Sequence, residues 1–112
     1  MSRLTITNDR PRRGVVCVAL SGELDMSSAY CVDAELRRLE QTRPELVVVD
    51  LRDLGFMDTA GLGRLLAAHR RARHGGWRFG LIRGPEAVER MLRLAATQER
   101  FVTLPHPAAA SA

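Results

Sequence analysis

The chain has 112 residues, a net charge of +4, 46% hydrophobic and 27% charged residues, which suits one domain with its own core and is too short for two. No apolar run approaches the ~20 residues of a membrane-spanning helix, and the opening MSRLTITNDR lacks a secretory signal's apolar stretch, so a cytoplasmic protein without membrane attachment is expected. All 17 basic residues are arginine, scattered and mixed with acids, and aromatics make up only 4%, too few to stack single-stranded bases; direct nucleic-acid binding is not expected.

Leu4 to Thr7 alternates apolar and polar residues, the pattern of a short edge strand. NDRPRRG follows, with the proline, glycine and charges of a hairpin turn. VVCVAL, residues 15 to 20, is a near-continuous apolar run of the kind that fills a strand buried on both faces, and it ends in SGELD. A helix is predicted from Ser27 or Ser28, with a serine as its cap. Ala29, Val32, Leu36 and Leu39 form its inner stripe; Asp33, Glu35, Arg37, Arg38 and Glu40 take the outer face. Pro44 lies beyond its end. LVVVDLRDL, residues 46 to 54, is the most buried strand. A second helix carries the stripe Leu62, Leu65, Leu66 and His69, runs to about Arg73 and stops at Gly75-Gly76. Residues 77 to 83 read as a strand. Pro85 opens a third helix with Val88, Met91, Leu92 and Ala95 on its apolar side. Phe101 to Leu104 reads as a last short strand, and PHPAAASA as a frayed tail.

Strands that alternate with helices imply parallel pairs joined by right-handed crossovers. The predicted fold is α/β: one mixed β-sheet, mostly parallel with an antiparallel N-terminal edge, packed with about three to four α-helices. The whole of 1–112 reads as a single domain, with a core about 3–104 and a tail at 105–112. Cys17 and Cys31 are neither a CxxC pair nor near other ligands, and read as small apolar residues. His69, His74 and His106 have no ligand-spaced partners, so no metal site is expected.

The segment FMDTAGLG, residues 56 to 63, marks the change from buried strand to second helix. Asp58 fits the N-cap, accepting a backbone N–H and favouring the positive helix end. Thr59 then opens the helix with its hydroxyl pointing outward. Ala60 and Gly61 leave the first turn nearly bare. Gly63 costs about 1 kcal/mol relative to alanine inside a helix; close packing against a neighbour is the structural reason to expect, close approach of a partner the functional one. A phosphate on Thr59 would add about −1.5 to −2 charges at a helix end that tolerates anions, changing the surface and not the fold.

GELD at 22 to 25, DLRDLGFMDTAGLG at 50 to 63, and the glycine pair, strand and helix at 75 to 96 resemble the STAS domains of bacterial anti-sigma factor antagonists. The likeness runs along nearly the whole chain. It implies a protein that binds an anti-sigma factor kinase, of the histidine-kinase-like ATPase type, and so releases a sigma factor. Phosphorylation of Thr59 by that kinase would switch it off, and a serine/threonine phosphatase would restore it. The chain itself would need no cofactor; Mg-ATP would belong to the kinase. The resemblance places Asp25, Met26, Ser27, Asp58, Thr59, Ala60, Gly61, Gly63, Arg64, Ala67 and Arg71 on the partner surface, in a monomer or weak dimer. Thr59 stands where serine is commoner in that family. Ala60 leaves no second hydroxyl beside it.

Those two departures keep an alternative open: a STAS domain not regulated by phosphorylation, acting as a constitutive antagonist, a scaffold or a small-ligand-binding module. An enzyme fits less well, and no catalytic residue is assigned. A chain without lysine cannot carry a P-loop. Asp50 follows a buried strand as a receiver phosphoacceptor does, without a receiver's acidic pair or later lysine. Ser27 and Ser28 are hydroxyls too, read as helix caps.

Overall fold

The computed structural model of the chain describes residues 3–95 and 101–104. In chain order its elements are β1 (Leu4–Arg12), β2 (Val15–Leu24), α1 (Ala29–Glu40), β3 (Leu46–Met57), α2 (Thr59–Gly75), β4 (Arg78–Ile82), α3 (Glu86–Ala95) and β5 (Val102–Leu104). The five strands form one sheet in the order β1-β2-β3-β4-β5. β1 and β2 are antiparallel; every later pair is parallel. Each crossover therefore steps one strand further the same way. Right-handed connections put all three helices on one face.

Strand alternation then divides the apolar runs. Val16, Val18 and Leu20 of β2, with Val47, Val49 and Leu51 of β3, face the helices and join Val32, Leu36, Leu39, Leu62, Leu65, Val88 and Leu92 in the main core. Val15, Cys17, Leu46, Val48 and Ile82 point the other way and form a smaller cluster drawn from strands alone. That is why these segments read as near-continuous hydrophobic runs. None of the described helices is long and apolar enough to cross a membrane.

Three strands outrun their expected ends. β1 continues through Arg12 because Pro11 falls in a register shift between Asp9 and Arg12. A proline is tolerated at such an irregularity on an edge strand, where its missing N–H breaks no ladder bond. Gly14, at φ +83°, makes the turn. β2 and β3 pair on to Leu24 and Met57, with register shifts after Ala19 and Gly22. These extensions bring GELD and FMD side by side. The expectations for the Ala95 side chain and for the tail at 105–112 fall outside the described residues.

The outer face predicted for α1 is also corrected. Asp33 is buried and the Glu40 side chain is only 7% exposed, because both face α2. Arg71 of α2 clamps Glu40 with two bonds, at 2.7 and 2.9 Å, and reaches Asp33 at 3.2 Å. Arg37 adds a bond to Asp33 at 3.0 Å. Burial pushes the Asp33 carboxyl up, but Arg37, Arg71 and Arg64 outweigh it and hold the group below the usual carboxylate range. At the end of α2, Gly76 adopts the left-handed conformation and its N–H meets the Ala72 carbonyl at 2.9 Å, the expected glycine stop.

Candidate functional site

β2 and β3 end together, paired Leu24 to Met57, and the chain leaves them into two different helices. The parallel sheet thus gathers the β2–α1 connection and the start of α2 at its carboxyl edge, where open α/β sheets place their sites. Met57 turns into the core, so Asp58 is left at the surface boundary. Its amide bonds the Leu24 carbonyl at 3.1 Å. Its Oδ1 accepts the Gly61 amide at 3.0 Å, the N-cap bond of α2. Its Oδ2 accepts the Met26 amide at 3.0 Å, across to the β2–α1 connection.

Thr59 is the next residue, exposed and at the first helical position. No described residue holds its hydroxyl. The two glycines that follow differ in cause. A Cβ on Gly61 would lie 2.6 Å from Leu24 Cγ and 3.0 Å from the Leu24 carbonyl oxygen. Glycine there lets the helix start sit against the end of β2. A Cβ on Gly63 would meet nothing within 4 Å, so close packing inside the fold does not account for that glycine. Gly63 lies one turn below Thr59 on the same exposed side, and its missing side chain leaves the approach to the hydroxyl open.

The β2–α1 connection folds upon itself. The Asp25 carboxylate accepts the Ser27 hydroxyl at 2.6 Å and the Ser27 amide at 2.9 Å. These bonds, with others from Ser28, hold its carboxyl below the usual range. Ser28 occupies the N-cap position of α1 without making a side-chain cap bond. Its buried hydroxyl instead accepts the Asp25 amide and donates to the Glu23 carbonyl, both at 3.0 Å. The predicted serine cap is a loop staple: the Asp25 carbonyl already takes the Ala29 amide at 2.8 Å. Met26 is left 81% exposed at the tip.

A family profile described as "Mlab, STAS domain" matches residues 8–103. This chain belongs to the STAS-domain family of anti-sigma factor antagonists. An anti-sigma F factor antagonist of Paenibacillus polymyxa is 33% identical over 84 residues, 74% of this chain and 72% of the relative. The crystal structure of an anti-sigma factor antagonist from Mycobacterium paratuberculosis superposes with a TM-score of 0.83 at 25% identity, covering 96% of this chain and 90% of that one. The Bacillus cell fate determinant SpoIIAA in its phosphorylated form shares the fold, with a TM-score of 0.73 at 19% identity over 94% and 96% of the two chains.

Within this STAS domain, Asp25, Met26, Ser27, Asp58, Thr59, Ala60, Gly61 and Gly63 come together at one corner. Arg64 leans toward α1, 3.5 Å from Asp33. Ala67 is half-buried. Arg71 lies about 18 Å further along the axis from Thr59, its side chain 19% exposed and tied to Glu40 and Asp33. An open cavity of about 600 Å³ lined by Arg37, Glu40, Arg71, His74 and Trp77 sits at that far end. No cluster of His, Cys, Asp or Glu among the described residues could hold a metal ion.

Tyr30 and Phe56 escaped the sequence reading. They are 62% and 47% exposed in elements that flank the corner: Tyr30 in the first turn of α1, Phe56 two residues before Asp58. The signal was there in outline. Tyr30 falls outside the stripe of Ala29, Val32, Leu36 and Leu39, and Phe56 precedes Met57, which takes the inward position at the strand end.

Proposed function

We propose that this STAS domain is a cytoplasmic anti-sigma factor antagonist switched at Thr59. With Thr59 unmodified, the corner of the β2–α1 connection and the start of α2 captures an anti-sigma factor kinase of the histidine-kinase-like ATPase type. The kinase then releases its sigma factor. Phosphorylation of Thr59 by that kinase ends the capture, and a serine/threonine phosphatase restores it. Mg-ATP belongs to the kinase; the antagonist contributes no cofactor and no catalytic group, and acts as a monomer or weak dimer.

The observation that carries this reading is the exposed, unheld Thr59 hydroxyl above the bare Gly63 in a chain related to anti-sigma factor antagonists. A phosphate there adds about −1.5 to −2 charges. The positive end of α2 accommodates them, so the switch works by altering the docking surface while the fold persists. A second reading has its own support. The matching profile is described for Mlab, not for a sigma regulator, and Thr59 with Ala60 departs from the commoner serine pattern. A constitutive antagonist, scaffold or ligand-binding module would use the same corner without phosphate.

Intact-mass measurement after incubation with each candidate anti-sigma kinase of the same genome and Mg-ATP tests the switch, with Thr59→Ala and pull-downs in parallel. One phosphate, lost in Thr59→Ala, with weaker capture of the modified form, is the expected result. Capture without phosphate favours the constitutive reading. Neither capture nor phosphate with any candidate rejects partner switching.

A further inference from the structure

The two oxygens of Asp58 do different work. An N-cap needs one acceptor, and Asn or Ser provides it as well as Asp does. Oδ1 fills that need at Gly61. Oδ2 reaches an amide 32 residues away in sequence, that of Met26 at 3.0 Å. Asn would turn an NH₂ donor toward the Met26 donor, and Ser has no second oxygen. The connection at 25–28 is otherwise knotted internally, through Asp25, Ser27 and Ser28. That knot fixes its shape; the bond to Asp58 fixes its position against the start of α2. A bond from an amide to an ionised carboxylate is among the stronger ones.

We infer that Asp58 is a positioning residue that straps the Met26 loop to the Thr59 corner, so that both meet the partner as one rigid surface. Each carboxylate oxygen is engaged inside the protein, so the work assigned to Asp58 is to hold the loop in place, whatever further contact it makes. The inference rests on the reading that this corner docks a protein kinase. It also specifies that partner: its footprint bridges two loops, reading the exposed Met26 together with the first turn of α2.

Asp58→Asn and Asp58→Ser separate strap from cap. Amide hydrogen exchange of the isolated chain, followed by NMR, is the primary readout. The Gly61 amide should keep its protection and the melting temperature should stay near wild type. The Met26 amide should exchange about tenfold faster, the scale of one lost charged hydrogen bond. A kinase captured by wild type should bind both variants about tenfold more weakly, by calorimetry, because loop ordering is then charged to binding. Unchanged Met26 exchange, or unchanged affinity despite a loosened Met26, overturns the strap. Unfolding of both variants overturns it as well, since Asn and Ser are adequate caps. If wild type binds no kinase, the functional reading fails, while the exchange comparison still decides whether Asp58 straps the loop.

Discussion

The two ends of α2 are built for opposite purposes. Its C-terminal half is fastened: Ala68 and Ala72 are buried, Arg71 clamps Glu40 and Asp33, and Gly76 closes the helix in the left-handed conformation. Its N-terminal turn is fastened on one side only. Gly61 and the Asp58 carboxylate bind it to the end of β2 and the loop beyond, while Thr59 and Gly63 are exposed, with no described residue holding the Thr59 hydroxyl or within 4 Å of a Cβ at Gly63. A helix of 17 residues, about 25 Å long, thus carries a stabilising anchor at one end and an accessible hydroxyl at the other. The anchor holds the helix so that the open end can be approached without moving it.

The contrast breaks most visibly at the anchor. Arg71→Ala leaves the buried Glu40 carboxylate without the guanidinium that clamps it and takes one of three arginines from Asp33, and should cost about 3 kcal/mol, measured by urea unfolding. Partner binding by the folded fraction should persist, since the corner is untouched. The same cluster gives the pH dependence. The Asp33 carboxyl is held low in the folded protein, so its contribution is present above the unfolded value, about 3.9, and is lost as pH falls through the folded one. Acid unfolding curves should therefore shift between wild type and Asp33→Asn, with the variant losing less stability on going from neutral pH to pH 3 or so.

Gly61→Ala comes next. Its methyl group would press on Leu24, side chain and carbonyl together. Overpacking of that kind costs about 1–3 kcal/mol, and it should displace the corner, lowering partner affinity along with stability. Gly63→Ala is the smallest effect and the sharpest comparison. With open space around the new methyl, it should stabilise the chain by up to about 1 kcal/mol in thermal unfolding, yet weaken capture of a partner that approaches Thr59 closely. Stability and binding move together at Gly61 and apart at Gly63.

Most of the architecture was legible in the sequence because strand and helix patterning is local. The valine runs at 15–18 and 46–49, the Asp58 cap and the Gly75-Gly76 stop each follow from the residues in place. What escaped depends on tertiary neighbours. Pro11 looked like part of the hairpin turn until the edge strand β1 proved to run on through it with a register shift. Asp33 and Glu40 looked solvated until α2 brought Arg71 against them from across the domain. Ser28 had the composition of a cap, but the Asp25 carbonyl took the amide and the hydroxyl served the loop. At the candidate site, the sequence marked Thr59 and the bare turn. It could not distinguish the reasons for Gly61 and Gly63, nor reveal the link from Asp58 to Met26, because each turns on what lies across from it in space.

The most direct measurement is calorimetric titration of one captured anti-sigma kinase with two forms of this chain, unmodified and phosphorylated at Thr59, both confirmed folded by circular dichroism. Tight binding of the unmodified form and a loss of at least about tenfold on phosphorylation, equivalent to 1.4 kcal/mol or so, are expected, with the same spectrum for both. Equal affinities would contradict the switch, leaving a STAS domain whose open corner docks a partner without being switched.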